Sequence, residues 1–402
     1  MLNLDQFVSD YVTLRPSSMF YPDIQVNRTI ISEKISGKSV LVIGGAGSIG
    51  ASFIKAILPF MPRSLVVVDT NENALAELTR DLRSTKGLYI PDDYIPYPMD
   101  YSSSVFEKMF RNRKGFDIVG NFSAHKHVRS EKDIISIESL IRNNVINAKE
   151  LLDLLSVYPP ESYFCVSTDK AANPVNIMGA SKRIMEDLIF SYSDVFPVKT
   201  ARFANVAFSN GSLPAGFLTR IQKQQPLSAP KDVRRFFVSL EESGQICLLA
   251  CMLGENRSIA FPKLNNAQMM TFDKIGSELL KAYGYEVVEC SSEIEAIDRA
   301  SCLKNGSNQY PVYFSKSDTS GEKPYEEFVA DGEMSDLTIY ESLGMIINKP
   351  LPDKSKVLRL LSDLNDAFSR NDSDKEDIVC IIKSYLSNFN HIETGKSLDS
   401  KM

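Results

Sequence analysis

From Gly37 onward the chain alternates short apolar runs with longer stretches of amphipathic spacing. Ser39–Ile43 and Ser64–Asp69 are two such runs, and residues 116–120 and 163–167 are two more. Runs of four or five apolar residues without polar alternation are what strands covered on both faces look like. Between them, residues 48–58, 72–84, 134–157 and 181–193 place apolar side chains at helical spacing. Strand–helix–strand units of this kind cross over right-handedly. The pattern therefore predicts an α/β fold, a Rossmann-type doubly wound parallel sheet with helices on both faces.

The flanks read differently. Leu4, Phe7 and Tyr11 stand at helical spacing before the loop-like Arg15-Pro16-Ser17-Ser18, which predicts a helical arm packing on the body or on a second subunit. Beyond Ser212 the pattern is less regular and is punctuated by Pro214, Pro226, Pro230 and Pro262, as in a smaller lobe woven from several segments. After Pro352 come two amphipathic stretches, Val357/Leu360/Leu361/Leu364/Phe368 and Ile378/Ile381/Ile382/Tyr385/Phe389, expected to pack on the core or to form an oligomer contact. The expected organisation is an N-terminal helical arm (1–36), a dinucleotide-binding domain (37–212), a substrate-binding lobe interleaved with it (213–345) and a C-terminal helical extension (346–402). A homo-oligomer is expected from the amphipathic ends.

Composition narrows the function classes. In 402 residues, 43% are hydrophobic and 24% charged, a globular balance that excludes a disordered or collagen-like chain. A net charge of −6 argues against a nucleic-acid coat but leaves room for a local basic site facing one small anion. Six cysteines without a CxxC pair indicate neither a zinc ribbon nor a disulfide framework. His125 and His127 have no nearby cysteine and no HExxH setting, so no metal site is expected. Met1–Asp5 lacks the basic and apolar regions of a secretory signal, and no run of about 18 apolar residues occurs. A soluble, cytoplasmic protein without a membrane anchor is the expectation.

Chemistry enters at Ile43-Gly44-Gly45-Ala46-Gly47-Ser48-Ile49-Gly50, which closes the first apolar run and opens a helix. Gly45, Gly47 and Gly50 satisfy GxGxxG, while Gly44, Gly47 and Gly50 satisfy GxxGxxG. In both, one glycine takes the tight turn, one lets the backbone approach a pyrophosphate and one lets helix and strand pack closely, with the helix N-terminus facing the anion. Asp69 follows nineteen residues after Gly50, at the end of the second run. A carboxylate there accepts from ribose hydroxyls and repels a 2′-phosphate, and no arginine follows it in Thr70–Asn73. NAD is therefore favoured over NADP.

A later run ends in Val166-Ser167-Thr168-Asp169-Lys170, and ligands of open α/β sheets bind at the carboxyl ends of strands. An adjacent acid and base there can hold each other in place and serve proton transfer. This segment, Ser167 to Lys182, resembles the signature of the nucleotide-sugar 4,6-dehydratases of the CapD-like polysaccharide-biosynthesis group, a branch of the extended short-chain dehydrogenase/reductases. The likeness continues in Ala124-His125-Lys126-His127-Val128, Asn144-Val145, Arg202-Phe203-Ala204-Asn205-Val206, Ser209-Asn210-Gly211-Ser212-Leu213-Pro214, Asp232-Val233-Arg234-Arg235-Phe236-Phe237 and Gly321-Glu322-Lys323-Pro324-Tyr325-Glu326-Glu327, in the family's order over residues 37 to about 345.

The resemblance implies a reaction in which bound NAD is recycled within each turnover, and a surface-glycan pathway with UDP-N-acetylglucosamine as substrate. It implies Asp169 as acid at the C6 oxygen, Lys170 as base at C5, Thr168 on the C4 oxygen and Lys182 on the nicotinamide ribose. Gly44, Gly45, Gly47, Ser48, Ile49, Gly50, Asp69, Asp100, Ser123, Ala124 and Lys182 are the expected cofactor set. Lys126, Asn205, Ser212, Arg234 and Arg235 are the expected substrate set, although one of the two arginines could instead pair with a surface carboxylate. One position departs from the wider superfamily: Met178 stands where a catalytic tyrosine is usual, four residues before Lys182. A thioether takes no proton, so the C4-OH proton is expected to leave through Thr168, Asp169 or water; the family's membrane-anchored members also look to carry Met here, and that resemblance implies retention at C5. A 4-epimerase or oxidoreductase on the same scaffold, and a catalytically silent NAD-binding protein, are the alternatives.

Overall fold

The computed structural model describes residues 2–127, 131–301, 303, 306–317, 326–347 and 349–393. Val128, Cys302 and residues 321–325 of the last resembling motif lie outside them.

The apolar runs form a parallel sheet. Its strands are β1 (Ser39–Ile43), β2 (Ser64–Asp69), β3 (Asp93–Pro98), β4 (Ile118–Asn121), β5 (Ser162–Val166) and β6 (Val198–Ala201). They lie in the order 3-2-1-4-5-6, the doubly wound arrangement. Ser258–Pro262 extends the sheet in parallel beside β6, and Leu343–Ile346 and Ser335–Asp336 close that end antiparallel. Alternate residues of β1 feed opposite cores. Leu41 and Ile43 pack with Ile134–Ile141, Asn147–Val157 and Ile177–Phe190, while Val40 and Val42 pack with Ser48–Ile57 and Leu240–Leu253.

Several expectations need correction. β3 was not foreseen: Asp93-Tyr94-Ile95-Pro96-Tyr97-Pro98 carries two prolines and exposed positions, which an edge strand tolerates and a central one does not. β6 was also missed. The helix expected from Ser181 begins at Ile177, because Asn176 caps it by accepting from Gly179 N at 2.7 Å. Beyond residue 212, Ser258–Pro262, Ser335–Asp336 and Leu343–Ile346 return to the main sheet.

The lobe beyond Ser212 is built on a three-stranded sheet (Leu227–Pro230, Gln309–Ser315, Glu286–Glu289) with Leu213–Gln222 and Phe272–Ala282 upon it. The N-terminal arm lies on the body: Phe7, Val8 and Val12 join the lobe's core, and Phe20, Ile24, Ile31 and Ile35 join the sheet's. Arg15 pairs with Glu242 at 2.6 Å, and Asp23 accepts from the Glu341 and Ser342 amides. The C-terminal helices Lys354–Ser369 and Lys375–Tyr385 bury Val357, Leu360, Leu361, Leu364, Ile378 and Ile382 in the core that holds Ile177–Phe190. The tail beyond them touches the loop that leads into Ile177–Phe190: Asn390 N and Ile392 N donate to the Pro174 and Val175 carbonyls. Among the described residues, no helix is long and apolar enough to cross a membrane.

Candidate active site

β1 and β4 are neighbours whose outgoing helices cover opposite faces of the sheet, which opens a crevice at their carboxyl ends. The glycine turn fills one side of it. Gly44 has φ +70°, and a Cβ there would lie 2.6 Å from Ser123 N, so only glycine lets the turn pass beneath the end of β4. Gly47 is the N-cap of Ser48–Ile57 and offers no side chain to the first-turn amides. The helices at Glu72, Ser104, Ile134 and Ile177 are instead capped by Asn71, Ser103, Asp133 and Asn176. The amides of Ser48, Ile49 and Gly50 thus begin the one helix of this group that lacks a side-chain cap, and they suit an anion.

Asp69, at the end of β2, is tied into this turn: it accepts from Ala46 N at 3.0 Å and Asn71 N at 2.9 Å. Asp100 is exposed beyond β3 on the same edge, where Met99 N donates to Asp69 O, and its carboxylate accepts from Ser102. Ser123 N donates to Asn121 Oδ1, and Ala124 is half-buried beside it. The loop 209–212 folds over the turn: Asn210 N donates to Ser48 Oγ at 2.8 Å, and Lys126 Nζ donates to Asn210 O at 2.7 Å. Asn144 fixes the loop that presents Lys126, exchanging bonds with the His125 amide and carbonyl and donating to Ser181 Oγ.

The other side of the crevice carries the acid–base segment. After β5 the chain makes a short 3-10 turn, Asp169–Ala171, in which Asp169 is 6% exposed. Thr168 Oγ1 donates to Asp169 Oδ1 at 2.7 Å, and Lys170 Nζ lies 3.1 and 3.3 Å from the two Asp169 oxygens. Ile177–Phe190 packs against this turn so closely that a Cβ on Gly179 would stand 2.5 Å from Lys170 O. Met178 is buried in the apolar core on the first turn of that helix. Lys182, one turn later, is also buried, and its Nζ donates to Val166 O at 3.0 Å. Burial pushes its ammonium below the usual lysine range, opposed by the nearby Cys165 and Glu186.

The expected substrate residues separate into two kinds. Arg235 is buried and Asn205 half-buried, whereas Arg234 is exposed and donates to the Asn266 carbonyl at 3.3 Å rather than to a carboxylate. Ser212 caps Leu213–Gln222 by accepting from Ala215 N.

Glu326 joins this group and was not singled out from the sequence as a site residue. It accepts from Asn205 Nδ2 and from Phe236 N at 2.7 Å, with Arg235 Nε at 4.0 Å. Burial and then the charge of Asp169 push its carboxyl up to about 8. Arg202 was quoted only as part of a motif. It is fully buried and forks onto Glu186 of Ile177–Phe190 and onto Glu333, with Lys349 also beside them. Among the described residues no group of histidines, cysteines and carboxylates is arranged to hold a metal.

The chain matches the family described as polysaccharide biosynthesis protein over residues 40–347. It is 29% identical over 366 residues to an uncharacterized membrane protein of Methanocaldococcus jannaschii, covering 89% of this chain and 99% of that protein. It is 27% identical to the probable polysaccharide biosynthesis protein EpsC of Bacillus subtilis, covering 75% of this chain and 49% of EpsC, so it spans about half that relative's length. It is 26% identical to a UDP-N-acetylglucosamine 4,6-dehydratase (inverting) of Campylobacter jejuni, over 57% of this chain and 68% of that enzyme. In fold it is similar to the dTDP-glucose 4,6-dehydratase DesIV of Streptomyces venezuelae, solved with NAD bound, at a TM-score of 0.54 and 19% identity over 73% of this chain and 88% of DesIV.

Proposed function

Because the chain belongs to the polysaccharide biosynthesis protein family, the CapD-like branch of the extended short-chain dehydrogenase/reductases, we infer that it is an NAD-dependent 4,6-dehydratase of UDP-N-acetylglucosamine. The hydrogen-bonded series Thr168–Asp169–Lys170, beside a buried methionine where a tyrosine base would stand, carries the reading.

The glycine turn fits a dinucleotide: a Cβ would fill the Gly44 cradle, the helix after Gly47 lacks a side-chain cap and Asp69 stands at the turn for a ribose. NAD supplies an acceptor for the C4 hydrogen that is returned at C6. Thr168 Oγ1, bonded to Asp169, offers the C4 hydroxyl proton a path to the Asp169 carboxylate. Asp169, so charged, gives that proton to the C6 oxygen, which leaves as water. Lys170, in its neutral form, takes the C5 proton at Nζ, and after C6 is reduced its ammonium, whose hydrogens come from and exchange with solvent, returns one proton to C5. No proton is left over, and Asp169 and Lys170 end as they began. One base working from one face predicts retention at C5. Asn205 and Arg235 would grip the diphosphate, since a guanidinium matches two phosphate oxygens. Lys182 would hold the nicotinamide ribose, and Lys126 would face the sugar.

Incubation with UDP-N-acetylglucosamine and no added reductant, followed by mass spectrometry, tests the reading. Loss of one water is expected. A product of unchanged mass would mark a 4-epimerase instead, and net NADH accumulation an oxidoreductase. Proton NMR of the product in D2O should show deuterium at C5 in the configuration of the substrate.

A further inference from the structure

Between Asn205–Val206 and the helix Leu213–Gln222 the chain makes two tight turns, and the second lies on the glycine turn. Ser209 N closes the first on Val206 O at 3.2 Å, and Ser212 N closes the second on Ser209 O at 2.9 Å. The third residue of each has positive φ, Phe208 at +54° and Gly211 at +75°. Glycine suits such positions, and a bulky side chain there is strained. Phe208 is 7% exposed, and its ring meets Phe7 of the N-terminal arm edge-on, with centroids 5.9 Å apart, inside the core that also holds Val8 and Val12. Two residues on, Asn210 N donates to Ser48 Oγ at 2.8 Å, and Asn210 O accepts from Lys126 Nζ at 2.7 Å. A cleft runs beside this contact, lined by Leu4 and Val8 of the arm and by Phe208, Asn210 and Ser48.

We propose that Phe208 is a positioning residue, braced by Phe7, that holds the loop 207–212 as a latch keeping the dinucleotide on the glycine turn through each turnover. This rests on the reading of that turn as the dinucleotide site. Ser48 opens the helix whose first-turn amides lack a side-chain cap. Its hydroxyl uses a lone pair on Asn210 N and keeps its proton to donate to a phosphate oxygen. The anion site is thus closed by a second stretch of chain, 162 residues away in sequence. The strain at Phe208 shows what holds that stretch in place. A phenylalanine does not favour φ +54° by itself, and burial of its ring against Phe7 keeps it there. With the ring released, Phe208 relaxes to negative φ, the loop after it changes direction, and Asn210 leaves Ser48 for the cleft. A cofactor that is reduced and reoxidised within one turnover needs such a hold, since its loss midway leaves the sugar oxidised.

The test times NADH release. Protein loaded with NADH is mixed with excess NAD in a stopped-flow instrument and the fall of NADH fluorescence is followed, alongside urea unfolding. Phe7→Ala removes the brace and Ser48→Ala the latch bond, while Asp23→Asn loosens the arm where it holds the Glu341 and Ser342 amides, away from the loop. F7A and S48A should each speed release about tenfold, and the double variant no more than about twofold beyond the faster single one, because both act through one loop. D23N should stay within about twofold of the wild-type rate even where its unfolding midpoint falls as far as that of F7A. Multiplied effects in the double variant overturn the proposal, as does unaltered release in F7A or release from D23N as fast as from F7A. If F7A does not fold, Phe7→Leu takes its place, keeping the core filled without the ring contact, and a wild-type rate in it is sufficient to overturn the latch. An absence of NADH binding to the wild-type protein overturns the latch together with the cofactor reading. Protein that releases NADH at the expected rates and does not dehydrate UDP-N-acetylglucosamine sinks the dehydratase reading and leaves the latch standing.

Discussion

At the scale of single residues, Thr168 carries a distinct expectation. Its Oγ1 donates to Asp169 at 2.7 Å and also caps the following turn by accepting from Lys170 N. Thr168→Val keeps the shape and removes the hydroxyl. If the C4 proton leaves through it, kcat should fall by about 10²–10³-fold with KM changed little. A rate within a factor of about three of wild type would remove Thr168 from the proton path. The segment that holds Thr168, Asp169, Lys170, Met178 and Lys182 was legible because all five lie within fifteen residues after one strand. Glu326 was not legible as their neighbour: it is more than 140 residues away in sequence from each of them, and only the fold brings it to Asn205 and Phe236. Arg234 and Arg235 show the opposite limit. Adjacent in sequence and identical in chemistry, they part because successive residues of an extended strand face opposite ways.

At the scale of elements, continuous apolar runs marked the central strands because burial on both faces demands them. β3 escaped since an edge strand is under no such demand, and its prolines read as a breaker. The helix Ile177–Phe190 was read as starting four residues late, because Asn176 caps it before the clear amphipathic spacing begins. That early start has a functional result, since it places Gly179 against the Lys170 carbonyl. Gly179→Ala sets a Cβ 2.5 Å from that oxygen, and backbone cannot yield as a flexible side chain does. The helix must tilt away from the acid–base turn. Steady-state rates should drop by about tenfold or more, with a stability loss of about 1–3 kcal/mol in urea unfolding. Wild-type kcat in the alanine variant would contradict this account of the contact.

At the scale of the molecule, one buried cluster joins three distant stretches of chain. Arg202 leaves β6, Glu186 comes from Ile177–Phe190, and Glu333 and Lys349 flank the last strands of the sheet. Burial alone would raise both carboxyls, but the charge and hydrogen bonds of Arg202, with Lys349, hold Glu186 and Glu333 down to about 2. Because these values lie below the unfolded reference of 4.5, the stability they supply is complete above 4.5 and is lost as pH falls toward 2. Thermal unfolding should therefore shift steeply downward below pH 4.5. Glu333→Gln leaves Arg202 short of a charge partner and should cost about 3–5 kcal/mol at pH 7, with a flatter acid slope. An unaltered slope in that variant would place the acid sensitivity elsewhere.

The same cluster bears on how the protein is made. A ribosome delivers Arg202 and Ile177–Phe190 well before Glu333, and Asn205 well before Glu326. The tail that bonds Pro174 and Val175 arrives later still, at Asn390 and Ile392. N-terminal parts of a nascent chain begin to fold during synthesis, so a Rossmann half can form around β1 to β6 while its most buried arginine, with Glu186 already in reach, still lacks its second counter-charge, Glu333. The surroundings of the crevice are completed by residues translated long after β6, among them Glu326, Asn390 and Ile392. A fragment ending before Glu326 would hold the glycine turn and the Asp169–Lys170 pair and still lack the finished site, so partial synthesis yields a cofactor pocket ahead of an enzyme.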